Sequence, residues 1–120
     1  METVQISTEA ILRHHLEAFC NNDVEALIKD YVPTSEVWTP DGALIGLDSI
    51  SSFYSYVFTL LPKESLHFEV RKEIVKGNKA YIVWNASSTI INVPLGTDSF
   101  EIEDGKIVWQ SLAAHIVPAS

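Results

Sequence analysis

The sequence predicts an α+β fold in which three helices precede an antiparallel sheet. Apolar residues recur at helical spacing as far as Pro62, and beyond it the period changes to two. The dipeptides Gly77-Asn78 and Asp104-Gly105 are typical of two-residue turns between antiparallel strands. The 120 residues correspond to one domain, residues 1–120, and the 47% of them that are apolar are enough to form a core.

The composition argues against several classes of partner. Sixteen acidic and eight basic residues give a net charge of −8, and the basic residues form no cluster. We therefore expect neither nucleic acid nor an anionic membrane surface as a partner. No apolar run has the roughly 18 residues of a membrane span, and residues 1–5 do not resemble the start of a leader peptide. The single cysteine, Cys20, fits a reducing compartment, so we expect a cytoplasmic protein.

The first helix is predicted over residues 7–21. Ser7 is a suitable N-cap, and an apolar stripe follows at helical spacing. His15 falls inside this stripe, whereas His14 falls outside it and is expected to be solvated. The stripe consists of Ile11, Leu12, Leu16 and Phe19.

A second helix is predicted to begin at an Asn22 cap, because Glu25 three residues later completes a capping box. Tyr31 continues its apolar face, and Pro33 is expected to end it. A third helix is predicted over residues 47–61, where apolar side chains keep helical spacing through three turns.

The remaining segments are predicted to be strands. A short hairpin, residues 36–39 and 43–45, surrounds the turn at Pro40-Asp41-Gly42. After the third helix, strands are predicted over residues 66–73, 79–89, 99–103 and 106–116.

The strand at residues 79–89 is apolar on both faces. Ala80, Ile82 and Trp84 share one face, and Tyr81 and Val83 share the other. Partial exposure of large side chains is one interpretation. The other, which we favour, is that one sheet face lines a cavity under the helices while the outer face packs on a second copy, giving a homodimer.

The order of these elements resembles the nuclear transport factor two-like superfamily, and within it the SnoaL-like and ketosteroid-isomerase-like small domains. The resemblance covers nearly the whole chain. It implies a cone-shaped, curved antiparallel or mixed sheet wrapped by three N-terminal helices around an apolar pocket, a fold also called cystatin-like. The superfamily contains enzymes and non-catalytic proteins, so the fold leaves the function open. The motifs that carry the resemblance are residues 22–31, residues 37–42, Gly46 before Ile50, Phe53-Tyr54, residues 98–100 and residues 104–107.

The resemblance also implies positions for the isomerase site. The general-base aspartate of the family falls on Thr39, which cannot take up a proton at neutral pH, so steroid isomerisation by the family mechanism is not expected. The oxyanion-binding tyrosine falls on His15, and the oxyanion-binding aspartic acid is retained as Asp98. The two supporting tyrosines are retained as Tyr31 and Tyr54.

His15 and Asp98 are therefore the candidate catalytic residues. Asp98 shares its strand face with Phe100 and Ile102, which should direct it inward. If the two side chains meet, an ionised Asp98 would raise the pKa of His15 and orient its imidazole as an acid or base. Each residue also has a purely structural alternative. His15 would then be a core histidine bonded to a carbonyl or hydroxyl group, and Asp98 would be a solvated carboxylate at the start of a strand. Glu36 and Asp41, which flank Thr39, are weaker candidates for a substitute base.

The predicted pocket suits a small, largely apolar molecule with one or two oxygens. No histidine or cysteine pair has metal-ligand spacing, so neither a metal nor a cofactor is expected. The pocket is expected to be lined by Tyr31, Trp38, Tyr54, Phe58, Phe100 and Leu112.

Three functions remain open. The first is binding of such a ligand. The second is acid–base catalysis of the isomerase, dehydratase or epoxide hydrolase type, through His15 and Asp98. The third is a non-catalytic dimerisation or protein-interaction domain with a filled pocket.

Overall fold

The computed structural model describes residues 7–120, which form three helices and six strands in one mixed sheet. Residues 1–6, on which the expectation about a leader peptide rests, lie outside this range. Within residues 7–120 no helix is long and apolar enough to cross a membrane. The helices are α1 (Thr8–Cys20), α2 (Val24–Ile28) and α3 (Leu47–Leu60). The strands are β1 (Tyr31–Thr39), β2 (Gly42–Ile45), β3 (His67–Lys76), β4 (Lys79–Ser87), β5 (Ile91–Glu103) and β6 (Lys106–Pro118).

Helix α1 forms as its sequence predicts. The Ser7 hydroxyl accepts a hydrogen bond from the Ala10 N–H and caps the first turn. The apolar stripe packs into the core and takes His15 with it, leaving 3% of that residue exposed. His14 lies on the outer side of the helix, and its Nδ1 lies 2.8 Å from the Asp30 carboxylate.

The start of α2 differs from the prediction. Asp23, not Asn22, caps the helix, because its carboxylate accepts from the Ala26 N–H. Asn22 instead has a φ of +53°, a left-handed conformation that asparagine tolerates. Its amide donates to the Leu61 carbonyl and accepts from the Lys63 N–H, so it ties the end of α1 to the end of α3.

The end of α2 also differs. The helix stops at Ile28, and Tyr31 begins strand β1 rather than continuing the helix. The Ile107 N–H donates to the Asp30 carbonyl, and β1 then runs parallel to β6. Pairing with a strand near the other end of the chain therefore overrides the local helical period that placed Tyr31 on a helix.

The sheet order is β2-β1-β6-β5-β4-β3, and every pair except β1–β6 is antiparallel. Strand β5 begins at Ile91, earlier than the predicted start at residue 99. Pro94 lies inside it, where the register with β6 shifts between Asn92 and Leu95. An irregularity of this kind accommodates a residue that has no N–H to donate to the ladder.

The two faces of the sheet differ as the alternation predicts. Ala80, Ile82 and Trp84 are buried beneath the helices, and Tyr81 and Val83 are half-buried on the outer face. One outer row crosses all six strands without a charged residue. The homodimer through this face stays a prediction. The row consists of Ala43, Trp38, Ser111, Ser99, Tyr81 and Ile74.

Candidate functional site

A cavity of about 330 Å³ lies between helices α1 and α3 and the inner face of the sheet. Most of its wall is apolar. Two buried titratable groups of the wall, His15 and Tyr54, come from the helices, and a third, Asp98, comes from β5. Apolar members of the wall include Phe19, Phe53, Val57, Phe68, Ile82, Leu112, Ala114 and Ile116.

Gly96 allows Trp84 to reach Asp98. Gly96 and Trp84 are direct partners across β4 and β5, and a Cβ atom at position 96 would lie 2.3 Å from the Trp84 ring. Without that atom the indole lies against the Gly96 backbone. Its Nε1 then donates to Asp98 Oδ1 over 2.7 Å.

Replacing Gly96 with alanine is expected to lower the free energy of unfolding by about 1–3 kcal/mol, because the indole must move away from both Gly96 and Asp98. Urea denaturation measures this change. In a Trp84→Leu background the same substitution should cost much less, because the clash is gone. An equal cost in both backgrounds would contradict the assigned contact.

Gln110 is the second group that holds Asp98. It lies on β6, is fully buried, and its Nε2 donates to Asp98 Oδ2 over 2.7 Å and to the Tyr54 hydroxyl over 2.9 Å. Its Oε1 accepts from the Tyr31 hydroxyl. Gln110 was not among the site residues predicted from the sequence. The available signal was a polar amide on the same strand face as Leu112 and Ala114, since a buried amide requires partners.

Asp98 is a buried carboxylate with a donor on each oxygen. Burial raises its pKa from 3.8 to about 6, and the hydrogen bonds from Trp84 and Gln110 limit this rise. At pH 7 Asp98 is therefore mostly ionised. The prediction that Asp98 points inward is confirmed, and it is not a solvated carboxylate at a strand start.

His15 is buried without a partner for Nδ1 among the described residues. The rings of Tyr54 and Phe100 approach it edge-on, with centroids 5.9 and 5.3 Å away. Burial, with a smaller contribution from the His14 charge, lowers its pKa from 6.5 to about 4. His15 is thus a neutral imidazole at neutral pH.

The expectation that Asp98 raises the pKa of His15 is wrong. Both carboxylate oxygens of Asp98 already have donors, from Trp84 and Gln110, and desolvation is the largest influence on each of the two groups. The two side chains share a cavity wall rather than forming an ion pair. The alternative of a core histidine bonded to a carbonyl or hydroxyl group is also wrong, because within residues 7–120 His15 makes no such hydrogen bond and its buried Nδ1 has no partner.

The other predicted pocket residues divide into three groups. Tyr54 and Leu112 line the cavity. Tyr31, Phe58 and Phe100 are buried behind its wall instead. Trp38 is wrongly predicted, because it lies on the outer face, half-exposed, with its Nε1 donating to Glu36.

The position of the family's general base lies at the cavity mouth. Thr39 lines it, and its hydroxyl donates to the Gly42 carbonyl and accepts from the Asp41 N–H. Both hydrogen bonds of the Thr39 hydroxyl therefore stabilise the turn at residues 40–41. Residues 7–120 contain no group of three histidine, cysteine, aspartate or glutamate side chains placed to hold a metal ion.

A curved mixed sheet that closes with three helices over a cavity defines the nuclear transport factor two-like class. An NTF2-like protein from Burkholderia xenovorans is 19% identical, with a TM-score of 0.74 over 89% of this chain and 81% of that one. An NTF2-like protein from Cytophaga hutchinsonii is 15% identical, with a TM-score of 0.71 over 97% and 95%. TerC, crystallised with polyporic acid, is 17% identical, with a TM-score of 0.74 over 90% and 91%. These likenesses show the fold alone.

The family follows from the sequence match. The model of the SnoaL-like domain matches residues 12–110, which is most of the chain, and the chain belongs to this family. The resemblance read from the order of its elements is thereby confirmed. No curated protein matches the chain.

Proposed function

We propose that this protein binds a small, largely apolar molecule, carrying one or two oxygens, in the cavity under α1 and α3. The observation that supports this proposal is the cavity itself, which at about 330 Å³ falls in the range of ligand sites. A non-catalytic domain with a filled core would leave no such space.

The polar groups of the wall support a ligand rather than enclosed water alone. His15 lines the cavity as a neutral imidazole, and Asp98 has lone pairs beyond the two that Trp84 and Gln110 engage. A ligand with one or two polar groups can hydrogen-bond to them, which fixes its orientation in an otherwise apolar cavity.

The same geometry supports acid–base catalysis as a second candidate. Asp98 is an ionised carboxylate in an apolar cavity with a pKa of about 6, close to neutral pH, as a general base requires. Because His15 is neutral, it would act as a hydrogen-bonding group beside the base rather than as its charged partner.

Tetralin, a bicyclic hydrocarbon without polar atoms, tests the binding proposal. We expect one molecule to bind per chain, and Ala114→Phe to abolish binding because the new ring occupies the cavity. NMR titration of the protein measures both. Ser55→Phe on the exposed side of α3 adds the same ring elsewhere and should leave binding intact. Absence of binding to the unaltered protein, or equal binding by the Ala114→Phe variant, would contradict the proposal.

A further inference from the structure

The floor of the cavity contains a hydrogen-bond network in which the orientation of the Gln110 amide decides which groups donate and which accept. Gln110 contacts Asp98 and Tyr54 through Nε2 and Tyr31 through Oε1. Of these four side chains, Asp98 and Tyr54 line the cavity, while Gln110 and Tyr31 are buried behind it.

An ionised Asp98 fixes the orientation of this amide. A carboxylate only accepts hydrogen bonds, so the Gln110 NH₂ group must face it. The second hydrogen of that group then points to the Tyr54 oxygen, which accepts it over 2.9 Å. The Gln110 oxygen takes the hydrogen of Tyr31.

In this arrangement the Tyr54 oxygen accepts, and within residues 7–120 no hydrogen bond uses its hydroxyl hydrogen. Burial and the negative charge of Asp98 raise the pKa of Tyr54, so the hydroxyl stays protonated. Because Tyr54 lines the cavity and already accepts from Gln110, its own hydrogen is available to a ligand.

Protonation of Asp98 reverses the network. The new O–H group on Oδ2 needs an acceptor, and a 180° turn of the Gln110 amide supplies its carbonyl oxygen. That oxygen then accepts from both Asp98 and Tyr54, and the amide nitrogen donates to the Tyr31 oxygen. The hydrogen of Tyr54 is thereby withdrawn from the cavity.

We propose that Gln110 is a positioning residue that directs the Tyr54 hydroxyl at the ligand when Asp98 is ionised, and that the ligand presents a carbonyl oxygen there. This inference rests on the proposed binding function and names its ligand class. Among the described residues, the titratable groups on the helices and strands around Asp98 are His15 from α1, which lines the same cavity, and Tyr54 from α3 and Tyr31 from β1, whose pKa values the Asp98 charge raises. Strands β4 and β6 contribute Trp84, Gln110 and Leu112, which do not titrate.

Paired probes with one carbon skeleton test the inference. We expect the affinity for 2-tetralone, a ketone, to rise about five-fold from pH 5 to pH 7.5, the effect of about one net hydrogen bond. The affinity for tetralin should stay constant. Simple charge repulsion between the ketone oxygen and an ionised Asp98 predicts the opposite sign for 2-tetralone. Calorimetric titrations at several pH values provide the dissociation constants.

Variants assign the effect to named atoms. Two substitutions should each abolish the rise of 2-tetralone affinity with pH. Gln110→Met keeps the side-chain volume but removes the amide, and Tyr54→Phe removes the hydroxyl oxygen. Ala113→Met, on the opposite and exposed face of β6, should keep the rise of 2-tetralone affinity with pH. If Gln110→Met does not fold, Tyr54→Phe still decides, and the infrared carbonyl stretch of bound 2-tetralone should lie at lower frequency at pH 7.5 than at pH 5.

The outcomes separate the two proposals. Constant or falling 2-tetralone affinity in a protein that binds tetralin would overturn the role of Gln110 while leaving the binding function in place. A rise that persists in Tyr54→Phe would do the same. Failure of both probes to bind the unaltered protein would overturn both proposals.

Discussion

Replacing Asp98 with asparagine is expected to make the protein lose stability, relative to the unaltered chain, as the pH falls from 6.5 to 4. Replacing His15 with phenylalanine is expected to have the opposite effect over the same range. The expected size is about 3 kcal/mol in each case, since a tenfold change in proton affinity corresponds to about 1.4 kcal/mol. Urea denaturation at several pH values measures both differences.

The signs follow from the two shifted pKa values. Folding raises the pKa of Asp98 from 3.8 to about 6, so its stabilising contribution is complete below pH 3.8 and is lost as the pH rises through 6. Folding lowers the pKa of His15 from 6.5 to about 4, so its contribution is complete above pH 6.5 and is lost as the pH falls through 4. The two contributions to stability change in opposite directions between pH 4 and 6.5. Removing either residue therefore leaves the pH dependence contributed by the other one uncompensated.

Two groups with unshifted pKa values would give no such differences. If Asp98 and His15 kept the pKa values that they have in the unfolded chain, each substitution would change the free energy of unfolding by the same amount at every pH. Other groups, including Asp30 with its raised pKa, are common to all three proteins and cancel in the differences. A difference that does not change with pH for either variant would therefore contradict the shifted pKa of the residue that the variant removes.

The parts of the site that the sequence predicts are those set by local periodicity. His15 falls in an apolar stripe of a helix with a clear cap, and Asp98 falls in phase with Phe100 on a strand. A helix of 13 residues and a strand of 13 residues fix by their period which face each of these side chains lies on. Both residues accordingly lie where the sequence indicates.

The parts that it does not predict depend on contacts between distant elements. Tyr31 leaves the helical pattern because β1 pairs with β6, which is far away in sequence. Gln110 becomes a network residue only because Tyr31, Tyr54 and Asp98 approach it from three other elements. The alternating pattern around Trp38 fits either face of a strand. The register of β1 against β6 places the Trp38 side chain on the outer face of the sheet.

The strongest chemical test of the site is proton exchange at carbon. We expect the protein to accelerate exchange of the C1 hydrogens of 2-tetralone with D₂O. The Asp98 carboxylate would take one C1 proton, and the C–H electron pair would form the C1–C2 double bond of an enolate whose oxygen carries the negative charge. The Asp98 proton then exchanges with solvent, and a deuteron returns to C1.

Asp98→Asn should reduce this exchange rate by about 10²-fold or more, because an amide cannot accept the proton. In the unaltered protein the rate should rise through pH 6 as Asp98 ionises and then level off. Proton NMR follows the loss of the C1 signal. Asp41→Asn is the matched control, because Asp41 lines the mouth of the same cavity but is exposed and belongs to the turn after Thr39.

The comparison of these two variants decides between a binding site and a catalytic one. A rate that falls in Asp98→Asn and not in Asp41→Asn assigns the base to the cavity floor, where burial holds its pKa near neutrality. A rate that falls in Asp41→Asn instead assigns it to the mouth, beside the position that Thr39 leaves without a base. Binding of 2-tetralone with no acceleration in the unaltered protein would mean that the buried carboxylate orients a ligand without reacting with it.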